Sequence, residues 1–186
     1  MKKILLLLFL CIPCFCFSNE TRQDAIIKLE EAMKQHSAIF VGTHVYGEIN
    51  QYCKKLESVR PDFVCVSREG TMIIYEGNIF GDECTIYVLG TPISKGIKSY
   101  VYKVGVCFNN LGVDDIRDRM SKKYFEVDFM KLEEGYCYMQ KDDDRNDVKL
   151  GSKAVYLLKV EGLWSLIFTN KSAEIWNEQM EDYLMM

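Results

Sequence analysis

Histidine, proline and positive charge in excess of negative are what this chain lacks most. His36 and His44 are the only two histidines among 186 residues. A histidine-rich metal centre and the His-Glu-x-x-His helix are therefore excluded. Gly-x-Ser-x-Gly, Walker and dinucleotide fingerprints are absent as well, so no motif implies a cofactor or a metal. Three prolines and no Pro/Gly/Ser-rich stretch leave no linker to divide the chain into domains. Lys and Arg number 23 against 27 Asp and Glu. That balance gives no electrostatic footprint for nucleic acid or for an anionic membrane surface.

What is present begins with an address. Lys2 and Lys3 precede an apolar stretch, residues 4–17, that holds no charge, and Ser18-Asn19-Glu20 returns to polar sequence. A basic start, a short apolar run and small residues at its end describe a secretory signal peptide at 1–18, cleaved after Ser18. The run falls short of the ~20 apolar residues that span a bilayer, and Pro13 interrupts it. No membrane span is expected after cleavage. Lipidation competes, because Cys11, Cys14 and Cys16 lie here. Cys14 follows Cys11-Ile12-Pro13 and Cys16 follows Pro13-Cys14-Phe15, and neither context suits a lipidated cysteine. The expected product is an exported, periplasmic or secreted chain of residues 19–186. Loss of the two lysines leaves 21 basic against 27 acidic residues, a net charge of −6.

Five cysteines remain: Cys53, Cys65, Cys84, Cys107 and Cys137. None of these forms a Cys-x-x-Cys pair, which argues against a thioredoxin-like site or a zinc knuckle. Export favours disulfides, but an odd count leaves at least one thiol unpaired or bonded between chains. The alternatives are small buried hydrophobes or a single bridge, of which Cys65 to Cys84 on neighbouring strands is one.

Hydrophobic periodicity predicts the elements. Residues 21–36 read as a helix, with Ile26, Leu29 and Met33 at helical spacing. Ala38-Ile39-Phe40-Val41 is a short strand-like run. After Gly47 a second helix places Ile49, Tyr52, Cys53 and Leu56 on one face and stops at Pro61. The period then changes to two. Strands are expected at 63–67 and 71–75 around Arg68-Glu69-Gly70, at 84–89 and at 99–108. In the last of these Tyr100, Tyr102, Val104, Val106 and Phe108 should face the core. Residues 114–125 return to helical spacing, with Asp114-Asp115 suited to the positive end of the helix. Three more strands follow, at 136–140, 153–160 and 164–169, with a tight turn at Glu161-Gly162. Residues 172–184 close the chain as an amphipathic helix carrying Trp176, Met180, Tyr183 and Leu184. Runs of consecutive strands imply antiparallel pairing and an α+β fold, with sheet packed against helices in a single domain. Units 46–108 and 111–169 each read as helix then strands, which suggests a duplication.

The segment Phe40-Val41-Gly42-Thr43-His44-Val45-Tyr46-Gly47, followed by a helix carrying Tyr52 and Lys55-Leu56, resembles the opening of a group of uncharacterised secreted bacterial proteins. Their usual form is Phe-x-Gly-Ile-Pro-x-x-Gly, then a helix ending in Lys-Leu. Gly77-Asn78-Ile79-Phe80-Gly81 with Cys84 behind it, Tyr102-Lys103-Val104 and Lys123-Tyr124 extend the likeness. Thr43-His44 stands where the group has Ile-Pro, and Phe125-Glu126-Val127-Asp128 lacks the cysteine the group often carries. The helix-then-sheet order is also similar to exported modules of the β-lactamase-inhibitor-protein type, and that similarity implies binding of another protein, by analogy of fold alone.

Candidate chemistry is sparse. His36, near a helix end, is explained by a favourable position there, and neither histidine is paired with a reactive cysteine by sequence. Asp142, Asp144 and Asn146 alternate as in a calcium loop, but Asp147 and Lys153 occupy the places that need Gly and Glu. A solvated loop is the better reading. The aromatic side chains are the remaining signal. Tyr100, Tyr102, Tyr136, Tyr138 and Trp164 fall on expected strands, where large rings pack well in a core. Gathered instead on one open face, they would bind a protein or a glycan. The leading expectation is an exported non-catalytic binding module for a protein or envelope component. The rivals are a carboxylate-based hydrolase acting on glycan or peptide, and a structural subunit with a self-complementary apolar face.

Overall fold

The computed structural model describes residues 27, 31, 34, 37–92, 98–123, 130–139 and 154–170. The expected signal peptide, most of the expected first helix, the acidic loop at 142–147 and the closing helix at 172–184 lie outside these residues. The chain divides after Glu31, and the fold described here belongs to the unit Ala32–Met186.

A small hairpin, β1 (Ile39–Phe40) and β2 (Thr43–His44), leads into α1 (Ile49–Val59). Four strands follow: β3 (Val64–Glu69), β4 (Met72–Ile79), β5 (Asp82–Gly90) and β6 (Val101–Phe108). The pattern then repeats as α2 (Val113–Lys123) and β7 (Met130–Leu132), β8 (Gly135–Met139), β9 (Ala154–Val160) and β10 (Leu163–Thr169). The eight longer strands form one antiparallel sheet in the order β3-β4-β5-β6-β10-β9-β8-β7. The fold is α+β and mostly sheet. Each half is one helix and a four-strand meander, and the last strands of the two halves, β6 and β10, meet at the centre.

The second meander has four strands where hydrophobic periodicity predicts three. β7 is an edge strand whose three residues are all exposed, so no apolar alternation marks it. β4 and β5 also run further than expected, to the two-residue turn Phe80-Gly81. Both residues of that turn have positive φ (59° and 81°), as do Val41-Gly42 and the anticipated Glu161-Gly162. Such turns match the twist of the strands they join, which is why each ends on glycine.

Both helices and the β1–β2 hairpin cover one face of the sheet. Ile49, Tyr52, Cys53 and Leu56 of α1 are buried there, as their spacing predicts. α2 contributes Ile116 and Met120, both fully buried. Phe40 from β1 fills the space between, with its ring centroid 5.0 Å from that of Phe168 and 6.4 Å from that of Phe63. On the sheet, Tyr75, Ile86, Val106, Leu166 and Leu157 make one continuous cross-strand row under these elements. Among the described residues no helix is long and apolar enough to cross a membrane.

Candidate functional site

Strand parity determines what the opposite face carries. In β5 the residues Cys84, Ile86 and Val88 point to the core, so Tyr87 points away. The same logic turns Ile74, Gly105, Ile167 and Tyr156 outward. Register places these five side by side, Ile74 opposite Tyr87, then Gly105, Ile167 and Tyr156. All are half-buried, and α1 and α2 pack on the opposite face. At the middle of the row, a Cβ on Gly105 would meet no described atom within 4 Å. The result is a shallow aromatic and aliphatic surface with a gap at its centre. Burial pushes the Tyr87 hydroxyl pKa upward, with the nearby Cys107 and Glu161 adding to it.

The five aromatics singled out from sequence do not assemble there. Tyr138 is only 8% exposed and faces the core, and Tyr136 and Trp164 pack against that core from the same side. The Arg117 guanidinium of α2 lies 4.5 Å from the centroid of Tyr136. Tyr100 is likewise 8% exposed, and Tyr102 is half-buried. The expected alternation of β6 holds from Val104 to Phe108 but breaks before it. A bulge opposite Leu89 and Gly90 inserts Tyr102 as an extra residue, so Val101 becomes the fully buried one. Tyr87 and Tyr156 were the outward tyrosines, and the parity of β5 and β9 was the signal that marked them.

A second feature is polar. The β2–α1 connection and the first turns of α1 flank a half-open cavity of about 120 Å³. Thr43, His44, Tyr46 and Gly47 line it from one side, and Gln51, Tyr52 and Lys55 from the helix. Thr43 is 1% and Tyr52 3% exposed, and neither hydroxyl finds a hydrogen-bond partner among the described residues. Each such orphan costs about 1–3 kcal/mol unless a water or ligand satisfies it. Burial drives the Tyr52 hydroxyl pKa well above its ordinary value, with Cys53 adding to the shift.

A larger cleft, about 490 Å³, lies at the far end of β4 and β5 and is lined in part by Asp62, Glu76 and Glu83. Asp62 is committed to Arg60, which donates to both its oxygens at 2.8 and 2.6 Å and holds its carboxyl below the usual range. Arg60 also donates to the Asn78 carbonyl at 2.6 Å and stacks 4.0 Å from the Phe63 ring centroid. Asp82 is a structural carboxylate. Burial works to raise its pKa, but donation from the Asn110 side chain and from the backbone of residues 109–111 prevails and lowers it. All five cysteines are unbridged. Cys65 and Cys84 face different partners across the intervening β4, Tyr75 and Gly77 respectively. Among the described residues no cluster of three His, Cys, Asp or Glu could hold a metal ion. Compared with known proteins, the chain matches no family model, no curated protein and no solved structure.

Proposed function

We propose that the chain is an exported, non-catalytic binding module that contacts an envelope-associated or secreted protein through the face of its sheet opposite α1 and α2. The observation that supports this reading is the row Ile74, Tyr87, Gly105, Ile167 and Tyr156, which crosses five strands without a charged side chain. Tyrosines rich in contact area and held rigidly by sheet pairing suit recognition of another protein surface. The gap above Gly105 suits a single apolar side chain from the partner. Export rests on the basic and apolar segment at 1–18. Mass spectrometry of the exported protein is expected to find Asn19 at the N-terminus, and a diacylated cysteine would refute that part.

The test of binding is capture from the envelope and secreted fraction with the wild type and with Gly105→Lys. The substitution has room in the fold, but sets a charged chain in the middle of the surface. Capture of a defined protein that Gly105→Lys abolishes supports the proposal. Equal capture by both proteins, or none by the wild type, overturns it.

The second reading, a carboxylate hydrolase acting on glycan or peptide, is favoured by one observation. Glu76 and Glu83 are exposed diagonal neighbours on β4 and β5, and both line the 490 Å³ cleft. Diagonal pairs stand about 7–8 Å apart, within the range that carboxylate pairs of glycosidases use. Hydrolysis of a glycan or peptide panel that Glu76→Gln and Glu83→Gln each abolish would establish it in place of the first.

A further inference from the structure

We propose that the cavity between the β2–α1 connection and α1 binds a small oxyanion, a carboxylate or phosphate group. The argument is independent of the sheet-face reading. It starts from local sequence. The turn Val41-Gly42 reverses the chain so tightly that Thr43 falls opposite Phe40 and is carried inward. Val41 itself adopts φ 42°, a conformation that a β-branched residue rarely takes. Strain of this kind persists where the surroundings over-determine the backbone, and it collects at binding sites.

The surroundings here do over-determine it. The Val45 carbonyl accepts from the Asn170 side chain at 2.8 Å. The Gly47 carbonyl accepts from the Val101 amide, and the Ile49 amide donates to the Ser99 carbonyl, both at 2.9 Å. The cavity wall is thus tied to the start of β6 and to the residue after β10. A wall so fixed is preorganised, and a ligand would lose little to ordering it.

The chemistry of the lining points to the class of ligand. Tyr52 and Thr43 supply two buried hydroxyls that have no partner. Gln51 supplies an amide, one hydrogen of which goes to Glu48 Oε2 at 3.3 Å, and Lys55 a cation. His44 is held from behind: Ser37 Oγ donates to the Lys34 carbonyl at 2.9 Å, so at 3.1 Å it accepts from His44 Nδ1–H, and the neutral ring then keeps only an acceptor, so the donors for a ligand are the hydroxyls, the amide and the lysine. Among the described residues no carboxylate lines the cavity. The nearest acid in sequence, Glu48, is neutralised by Lys98 Nζ at 2.8 Å. Donor-bearing side chains and a lysine line a space of about 120 Å³, several water molecules in size. A small oxyanion accepts from several such donors at once, and charge-assisted bonds of this kind are the strong ones.

The test is a titration of the ¹⁵N-labelled exported chain with inorganic phosphate and with acetate, against chloride at matched ionic strength. Expected are saturable amide shifts confined to residues 43–55 and a rise in Tm. Lys55→Met, whose side chain is exposed, and Tyr52→Phe should each weaken binding by about tenfold or more. Tyr52→Phe should leave Tm without anion unchanged or higher, because it removes an orphaned hydroxyl; should this variant not fold, Thr43→Val takes its place. Phosphatidylcholine vesicles containing phosphatidylglycerol form a separate arm. Sedimentation with them that Lys55→Met abolishes names a lipid headgroup as the source, and binding of the free anions alone names a soluble one. Absence of saturable shifts at these residues up to about 50 mM of either anion overturns the proposal. Wild-type affinity in Lys55→Met, or vesicle binding indifferent to that change, overturns it equally.

Discussion

The Tyr75 hydroxyl donates to Glu57 Oε1 at 2.8 Å, tying the buried middle of β4 to the solvent side of α1. Arg68 on β3 donates to the same oxygen at 2.5 Å, so one carboxylate joins three elements. The ion pair is half-exposed and contributes at most about 1 kcal/mol. The tyrosine bond lies deeper. Tyr75→Phe should cost about 1 kcal/mol and lower the urea midpoint with an unchanged m value. A midpoint equal to the wild type would show that the bond adds nothing to stability.

Alkaline pH should destabilise the fold before it harms an ordinary domain of this size. Burial raises the thiol pKa of Cys53, Cys84 and Cys137, that of Cys84 to about 11. Burial also raises the hydroxyls of Tyr52 and Tyr75. A raised pKa means that the unfolded chain loses its protons first. The stability these groups contribute is complete below the unfolded thiol pKa of about 8.5 and falls as pH rises through the folded values. Urea midpoints measured from pH 8 to pH 11 should decline throughout, and Cys84→Ala should make the decline shallower. An equally steep decline in that variant would remove Cys84 from the account.

At the acid end the relevant group is Asp82. It accepts from the Asn110 amide at 3.0 Å and from Asn110 Nδ2 at 2.9 Å, which anchors the connection from β6 to α2. Its folded pKa is depressed, so its contribution is present above about pH 4 and disappears as pH falls through the folded value. Asp82→Asn should lose about 2 kcal/mol at pH 7, the range for hydrogen bonds to a charged group. The gap between variant and wild type should close towards pH 2. A gap of constant size across that range would mean that shape, and not charge, holds the connection.

The strained turn offers a gain. Val41 at φ 42° carries a conformational penalty that Asn does not, although it gives up a half-buried packing contact. Strain of about 1–3 kcal/mol outweighs partial burial of one valine, so Val41→Asn should raise Tm by a few degrees. A lower Tm would show that the contact is worth more than the turn geometry.

Legibility of the sequence followed the range of the forces involved. The four buried positions of α1 and the outward–inward alternation of β6 from Val104 are local patterns, and both were readable. The paired helix-and-meander halves were readable in outline from element order. β7 was not, because Met130 and Leu132 lie exposed on an edge and carry no periodic signal. Nor was the placement of Tyr102, since a bulge depends on the neighbouring strand. The polar cavity was invisible for a related reason. The segment from Phe40 to Lys55 stood out as a motif, but only the Asn170 and Val101 contacts, more than fifty residues away, fix it as the wall of a pocket.

Two glycines in the sheet separate backbone demand from surface function. At Gly135 a Cβ would collide with the Leu157 carbonyl oxygen, an atom fixed by the pairing of β8 with β9. Relief requires the strands to part, so Gly135→Ala should cost about 1–3 kcal/mol, the range for forcing excess volume into packed structure. At Gly105 no described atom stands within 4 Å, and a strand interior gains from any residue less flexible than glycine. Gly105→Ala should therefore match or exceed the wild type by up to about 1 kcal/mol. Thermal melts of the two variants side by side check both statements. A loss at Gly105 comparable to that at Gly135 would mean that the outward face is already covered, and the proposed docking surface would go with it.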